Sequence, residues 1–450
     1  MSPKATDSPN HDTSTLVDCL TTAGGSSHHA FHVVDRPPEK QIRKKREVTM
    51  SDRRDPAKVR RRSFLTGTAA GAGVLLVRPE LVRGSAANST IALGLIGCGG
   101  RGNWISRLFE KTGKYRFVAC ADYFQDRIDR TGERLKIPSA RRYAALSGYK
   151  RLLEDNLDAV VIETPPYFHP EQAAAAVDAG KHVFLAKPIA VDVPGCLTIA
   201  EAGRRATAKK RVFLVDFQTR ANELYREALR RVHRGDLGRL VMGEAHYPWR
   251  GGGRGEPPKD PREQLRHWYY VLPLSGDHIV EQAIHVLDVA TWIADADPVD
   301  ARGLGGRTVR PANSIYDHFA VIYRFPNDFV VSFTSIQSIP GVKDEIRCRV
   351  FGADGVIDTD YFGHVWIRGK KPYEGGSTGN LYTTGAATNI DEFHRFITQG
   401  DYSNRTVAPS VRSNLTAVLG RMAAYRAGEV TWREMMASGE KLEPNLRGLT

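Results

Sequence analysis

Lys187, Glu281 and His285 are the three side chains of this 450-residue sequence whose chemistry could combine to oxidise an alcohol. Gly276–Asp288 reads as one helix, so Glu281 and His285, four apart, share a face one turn from each other. Taking the proton of a carbinol while hydride departs requires a base that titrates near neutrality. A histidine oriented by a carboxylate meets that need. Lys187 would place positive charge beside the developing alkoxide. His278, Glu281, His285 and Asp288 are also metal-ligand types. Their spacing drifts along one helix and cannot close a coordination shell, so no metal is expected.

These groups need a hydride acceptor, and the sequence offers a place for one. Ile91–Ile96 is an apolar strand, followed by Gly97-Cys98-Gly99-Gly100-Arg101-Gly102 and then a helical pattern at Trp104, Ile105 and Leu108. This G-x-G-x-x-G sits in the strand–turn–helix context of a dinucleotide site. Gly97 permits the tight turn, Gly99 admits the pyrophosphate, and Gly102 lets helix pack on strand. A second strand, Tyr115–Ala121, ends at Asp122, where a carboxylate can accept ribose hydroxyls and favours NAD over NADP. Strands over 157–162, 182–185 and 211–215 alternate with helices over 170–179 and 193–207, the pattern of a doubly wound sheet. Thr164, Pro165, Lys187 and Asp216–Arg220 then gather around one crevice at the strand ends.

Together, Ile91–Gly102, Thr164-Pro165 with His169, Gly180–Val183, Lys187-Pro188 and Glu281–Asp288 resemble the Gfo/Idh/MocA oxidoreductases, the group of glucose–fructose oxidoreductase and inositol dehydrogenase. The resemblance spans about residues 90–435. It implies a Rossmann domain and a C-terminal α+β domain with a large, mostly antiparallel open sheet. It also implies a nicotinamide cofactor, a sugar or polyol substrate and a homo-oligomer, a dimer or tetramer. By resemblance the catalytic residues are Lys187, Glu281 and His285. The cofactor-binding set is Gly97–Gly102, Asp122, Thr164, Pro165, His169 and Lys187. Asp288 completes an H-x-x-D pattern and is expected at the substrate; Gln218 and Arg220 either line the sugar pocket or brace the domain junction. The sequence departs from the family pattern twice: Ala186 replaces the glutamate of E-K-P, and Glu281 replaces an aspartate.

The rest of the chain frames this core. Residues 1–49 are polar and aperiodic, which reads as disorder or a non-native start, with Met50 as the initiator. Residues 50–87 contain Arg60-Arg61-Arg62-Ser63-Phe64-Leu65-Thr66, an apolar run and Ser85-Ala86-Ala87, the pattern of a twin-arginine export signal. The apolar run is too short to span a bilayer. Residues 88–217 form the NAD-binding domain, and 218–450 the substrate and oligomerisation domain with its last helices over 389–435. In that second half, strands are expected over 240–247, 318–325, 329–336, 347–351 and 365–368, helices over 389–397 and 410–427, and loops over 251–259 and 375–388. The net charge of +13 is spread along the chain. Without a clustered basic face, nucleic acid is not the expected partner. The five scattered cysteines show neither a disulfide framework nor zinc spacing.

Export sharpens the chemical expectation, because free NAD is scarce outside the cytoplasm. A tightly held cofactor would be recycled within the site, by a second sugar or by the same substrate. The alternatives are a redox-neutral glycoside hydrolase or epimerase acting through a keto-sugar, and a non-catalytic dinucleotide- or sugar-binding protein.

Overall fold

The structure, a computed structural model, describes residues 90–449; the expected export signal and start lie outside that range. Six strands form a parallel sheet: β1 (Ile91–Ile96), β2 (Tyr115–Asp122), β3 (Arg142–Ala144), β4 (Ala159–Ile162), β5 (His182–Ala186) and β6 (Phe213–Asp216), in the order β3-β2-β1-β4-β5-β6. β4, β5 and β6 are buried at every residue. That is why they read as apolar runs rather than alternations: helices cover both faces. The order reverses between β1 and β4, the switch point where such sheets bind ligands. The short β3 escaped the sequence reading, since three residues carry no periodicity.

A second sheet has nine strands, in the order β14-β13-β12-β11-β7-β10-β9-β8-β15. They are β7 (Leu240–Trp249), β8 (Asp300–Gly306), β9 (His318–Arg324), β10 (Val330–Gln337), β11 (Arg347–Gly352), β12 (Gly355–Asp360), β13 (His364–Gly369), β14 (Tyr373–Ser377) and β15 (Glu429–Thr431). Neighbours are antiparallel except β7 and β10. Alternation is strict in β9, where Phe319, Val321 and Tyr323 face the core and Ala320, Ile322 and Arg324 face outward. Leu304 and Ile322 leave that outer face partly apolar.

Four helices matter for the site: α1 (Gly100–Lys111), α2 (Ile284–Ala294), α3 (Leu381–Gln399) and α4 (Val407–Arg426). Two expectations fail here. The Gly/Thr-rich 375–388 is not a loop: Tyr373–Ser377 pairs with β13, and α3 begins at Leu381, capped by the Asn380 side chain on the amide of Thr383. Small residues in α3 answer to packing, since a Cβ on Gly385 would lie 2.6 Å from the Gln218 side chain. Nor is α3 confined to the second domain. Ala386, Ile390, Phe393 and Phe396 pack on Phe109, Tyr115 and Phe184, closing one face of the parallel sheet, and Tyr115 Oη donates to the Ile390 carbonyl at 2.7 Å.

Candidate active site

The turn after β1 is shaped by what it must avoid. Gly97 has φ +99°, and a Cβ there would lie 2.6 Å from the Glu163 carbonyl carbon. A Cβ on Gly102 would lie 1.9 Å from the Gly97 carbonyl oxygen, so only glycine lets α1 start so close to β1. No side chain caps α1. Its first N–H groups are therefore free to meet an anion at the positive end of the helix. They open on a cleft lined by Gly97, Gly99, Gly100, Arg101, Asp122, Glu163, Thr164 and Pro165 among others. Asp122 accepts from the amides of Cys98 and Phe124 and still lines the cleft. An uncapped helix end, a glycine cradle and a carboxylate at the far wall fit a dinucleotide running from β2 across β1 to β4.

The far end of this cleft is closed by the second half of the chain. Leu265 and Trp268 line it beside Tyr123, Phe124 and Leu146. Arg266 pairs with Asp126 and stacks 4.1 Å over the Phe124 ring. The residues 265–268 thus strap the adenosine side. Trp268 belongs to the cofactor cleft. Tyr269 instead donates to Gln337 at 2.8 Å.

The expected helix over 276–288 is broken. His278–Glu281 forms one turn, and α2 restarts at Ile284. The amide of His285 bonds to Gln282 rather than to Glu281. This frees the Glu281 carbonyl, which accepts from Lys187 Nζ at 2.6 Å; the Glu281 carboxylate lies 3.3 Å from the same nitrogen. The anticipated carboxylate–histidine pair is therefore not formed: Glu281 is turned to Lys187, and His285 Nδ1 has no partner. Burial, aided by the charges of Lys187 and Arg101, holds His285 well below its ordinary pKa, so it stands neutral. His278 points elsewhere, with its ring nitrogens on Tyr316 O and Ser335 Oγ.

Other expected residues are placed as braces. Arg220 spends its guanidinium on Asp288 Oδ1 at 2.8 and 2.9 Å, and Ser413 Oγ donates to the same oxygen. Of the two roles left open for Arg220, this pairing is the bracing one, and Asp288, expected at the substrate, is here its buried partner. Gln218 donates to Asp216 and keeps a buried, unpartnered carbonyl. His169 does not line the cleft. Its two nitrogens lie 2.7 and 2.8 Å from the carbonyls of Pro188 and Thr164, so it sits between the loops that carry Lys187 and Pro165 and, with one ring N–H, donates to one of them. Arg101 lines the cleft but gives its guanidinium to Asp216 at 2.5 Å, sandwiched near Trp104 and Tyr382.

Sequence reasoning missed two groups. Tyr361, after β12, sets its ring 5.6 Å from His285 and leaves its buried hydroxyl unpartnered. Glu163, after β4, is a carboxyl with no exposed side-chain surface and no hydrogen bond to either oxygen. The signal for Glu163 was present: it directly precedes Thr164-Pro165 at a strand end. Tyr361 had none, because its partner lies 76 residues away in the chain. Among the described residues no group of three or more His, Cys, Asp or Glu could hold a metal. Cys98, Cys120, Cys196 and Cys348 are buried free thiols.

Residues 91–217 match the oxidoreductase family with an NAD-binding Rossmann fold, and residues 225–358 match the GFO/IDH/MocA C-terminal domain. An inositol 2-dehydrogenase of Saccharopolyspora erythraea is 30% identical over 270 residues, covering 60% of this chain and 72% of that protein. A glycosyl hydrolase family 109 protein of Shewanella is 30% identical over 180 residues, 39% of this chain and 37% of its own. In fold, the structure of levoglucosan dehydrogenase in complex with NADH and levoglucosan aligns with a TM-score of 0.62 at 18% identity, covering 76% of this chain and 99% of that one.

Proposed function

The chain belongs to the Gfo/Idh/MocA family of NAD-binding oxidoreductases, and from that premise we propose that it oxidises a secondary hydroxyl of a sugar or related polyol. One observation carries this reading. Buried polar atoms without partners come from separate elements: Glu281 Oε2 on the carboxylate that meets Lys187, His285 Nδ1, Tyr361 Oη beside the His285 ring, and Gln218 Oε1 next to Asp216. Leaving such atoms unpaired is costly, and a polyhydroxylated substrate would pair them. NAD, when bound, supplies the hydride acceptor. His285 receives the hydroxyl proton at Nδ1, Lys187 holds the charge developing on the substrate oxygen, and Glu281 fixes Lys187. Relatives named for inositol and levoglucosan oxidation support the substrate class.

The reading extends to how the cofactor is kept. The Arg60–Thr66 signature favours export of the folded protein through the twin-arginine translocase, with NAD already inside, to a periplasmic or other extracytoplasmic site. The strap at Leu265–Trp268 supports slow release, and recycling in place follows. The hydrolase-named relative favours a second reading, glycoside cleavage through a keto-sugar with no net redox change. The partly apolar outer face of the nine-stranded sheet favours pairing with a second copy. Product analysis by NMR on mono- and disaccharides, with and without added NAD, tests the function. Oxidised product that scales with added NAD supports a simple dehydrogenase; turnover without it supports recycling. No product from any sugar, with binding intact, overturns the enzymatic reading.

A further inference from the structure

Glu163 lines the β4 end of the dinucleotide cleft with its main chain, and its carboxyl is buried directly behind that wall. Its neighbours in register are Ala186 at the end of β5 and, beyond it, Asp216 at the end of β6. Two carboxyl groups thus compete for one guanidinium. Asp216 wins: Arg101 Nη2 lies 2.5 Å from Oδ2, and the side-chain amides of Gln218 and Asn389 donate to Asp216 as well. Glu163 gets only Arg101 Nε at 3.5 Å, beyond a good hydrogen bond, and both its oxygens stay unpartnered in a buried setting. The charged groups acting on it are Arg101 from α1, Asp216 from β6 and Lys187 after β5. Burial and Asp216 outweigh the two cations, and Glu163 is pushed up to about 7.

Strand order sets which end of a dinucleotide meets this carboxyl. Asp122 on β2 marks the adenosine side, the glycine turn after β1 takes the pyrophosphate, and Glu163 on β4 therefore faces the nicotinamide side. The oxidised ring carries a positive charge and the reduced ring does not. We propose that Glu163 is the proton-exchanging group of this cleft, ionised beside the oxidised dinucleotide and protonated beside the reduced one. Alcohol oxidation yields one hydride and one proton, and the reverse step consumes both. The hydroxyl proton goes first to His285; once His285 gives it up and is neutral again, a carboxyl that gains one proton as the ring loses charge retains one in the site. The proposal rests on the NAD assignment. It gives cofactor recycling a proton store and does not need the cofactor to be tightly held.

The test is binding, not turnover. The full-length protein, stripped of nucleotide with charcoal, is titrated separately with NAD+ and NADH from about pH 6 to about pH 8.5, following tryptophan fluorescence. Linkage fixes the signs: a ligand that favours the carboxylate binds tighter as pH rises, and one that favours the acid binds more weakly. NAD+ affinity should rise and NADH affinity fall, each by roughly tenfold for every unit the ligand moves the carboxyl. In Glu163→Gln the two profiles should become parallel. Opposed profiles that persist in Glu163→Gln, or parallel ones in the native protein, overturn the proposal. Should the variant not fold, calorimetry of the native protein in two buffers of different ionisation enthalpy decides: proton release with NAD+ and uptake with NADH supports it, and no proton exchange refutes it. Freely exchanging nucleotide would end the resident-cofactor reading while leaving these profiles unchanged.

Discussion

Lys187 Nζ donates to the main-chain oxygen of Glu281 at 2.6 Å, taking the bond that His285 N–H would make in an unbroken helix. Through it, the loop after β5 grips the segment that carries the proposed base. Replacing Lys187 with Met should lower kcat by on the order of a hundredfold or more. The nucleotide content of the purified protein should stay unchanged. Steady-state kinetics with nucleotide quantitation checks both; lost nucleotide with kcat preserved would place Lys187 at the cofactor only.

The strap predicts slow exchange. Trp268→Ala or Arg266→Ala opens the adenosine side without touching the proton-transfer groups, and dissociation of NADH in stopped-flow should quicken by roughly tenfold for each 1.4 kcal/mol of contact removed. An unchanged off-rate in both variants would show that the strap does not retain the cofactor.

Bracing and substrate contact predict opposite outcomes for Asp288. It is fully buried against Arg220. In Asp288→Asn, a charge remains without its partner, and urea unfolding should report a loss of about 3 kcal/mol. KM for the sugar should hold. A raised KM with stability intact would instead put Asp288 in the pocket.

Protonation links stability to pH in two directions. Burial pulls both His169 and His182 down to about 4, so each is neutral when folded. Their contribution is complete above an unfolded pKa of about 6.5 and is lost as pH falls from there toward about 4, with on the order of 2 kcal/mol per residue lost by about pH 5. Glu163, raised to about 7, works the other way: its stabilisation is full in acid and is lost as pH rises toward about 7. The native protein should therefore show a shallow acid slope, and Glu163→Gln a steeper one. Urea titrations at about pH 7 and about pH 5 compare the two; equal slopes would contradict the opposing contributions.

What could be read from the sequence was local. The glycine turn with its flanking strands, and the alternation in β9 and β10, repeat at periods that a linear reading detects. Lys187, His285 and Asp122 follow from position at strand ends or on a helix face. The break at Gln282 was not readable, because apolar residues on both sides keep the helical period. The break shows only in three dimensions, where the Glu281 oxygen it frees meets Lys187. Arg101 shows the same limit: a basic residue in a phosphate-type loop reads as a cofactor contact until Asp216, 115 residues on, claims it.

The place of α3 bears on how the molecule comes to be. Phe393, Ile390 and Tyr115 belong to one apolar layer, yet α3 is synthesised long after the strands it covers. A nascent chain that has completed β6 still exposes that face of its sheet. The cofactor-binding half should therefore not mature as an autonomous unit on the ribosome, and loading with NAD would await the synthesis of α3. Any quality control that waits for bound nucleotide would, in effect, be inspecting α3.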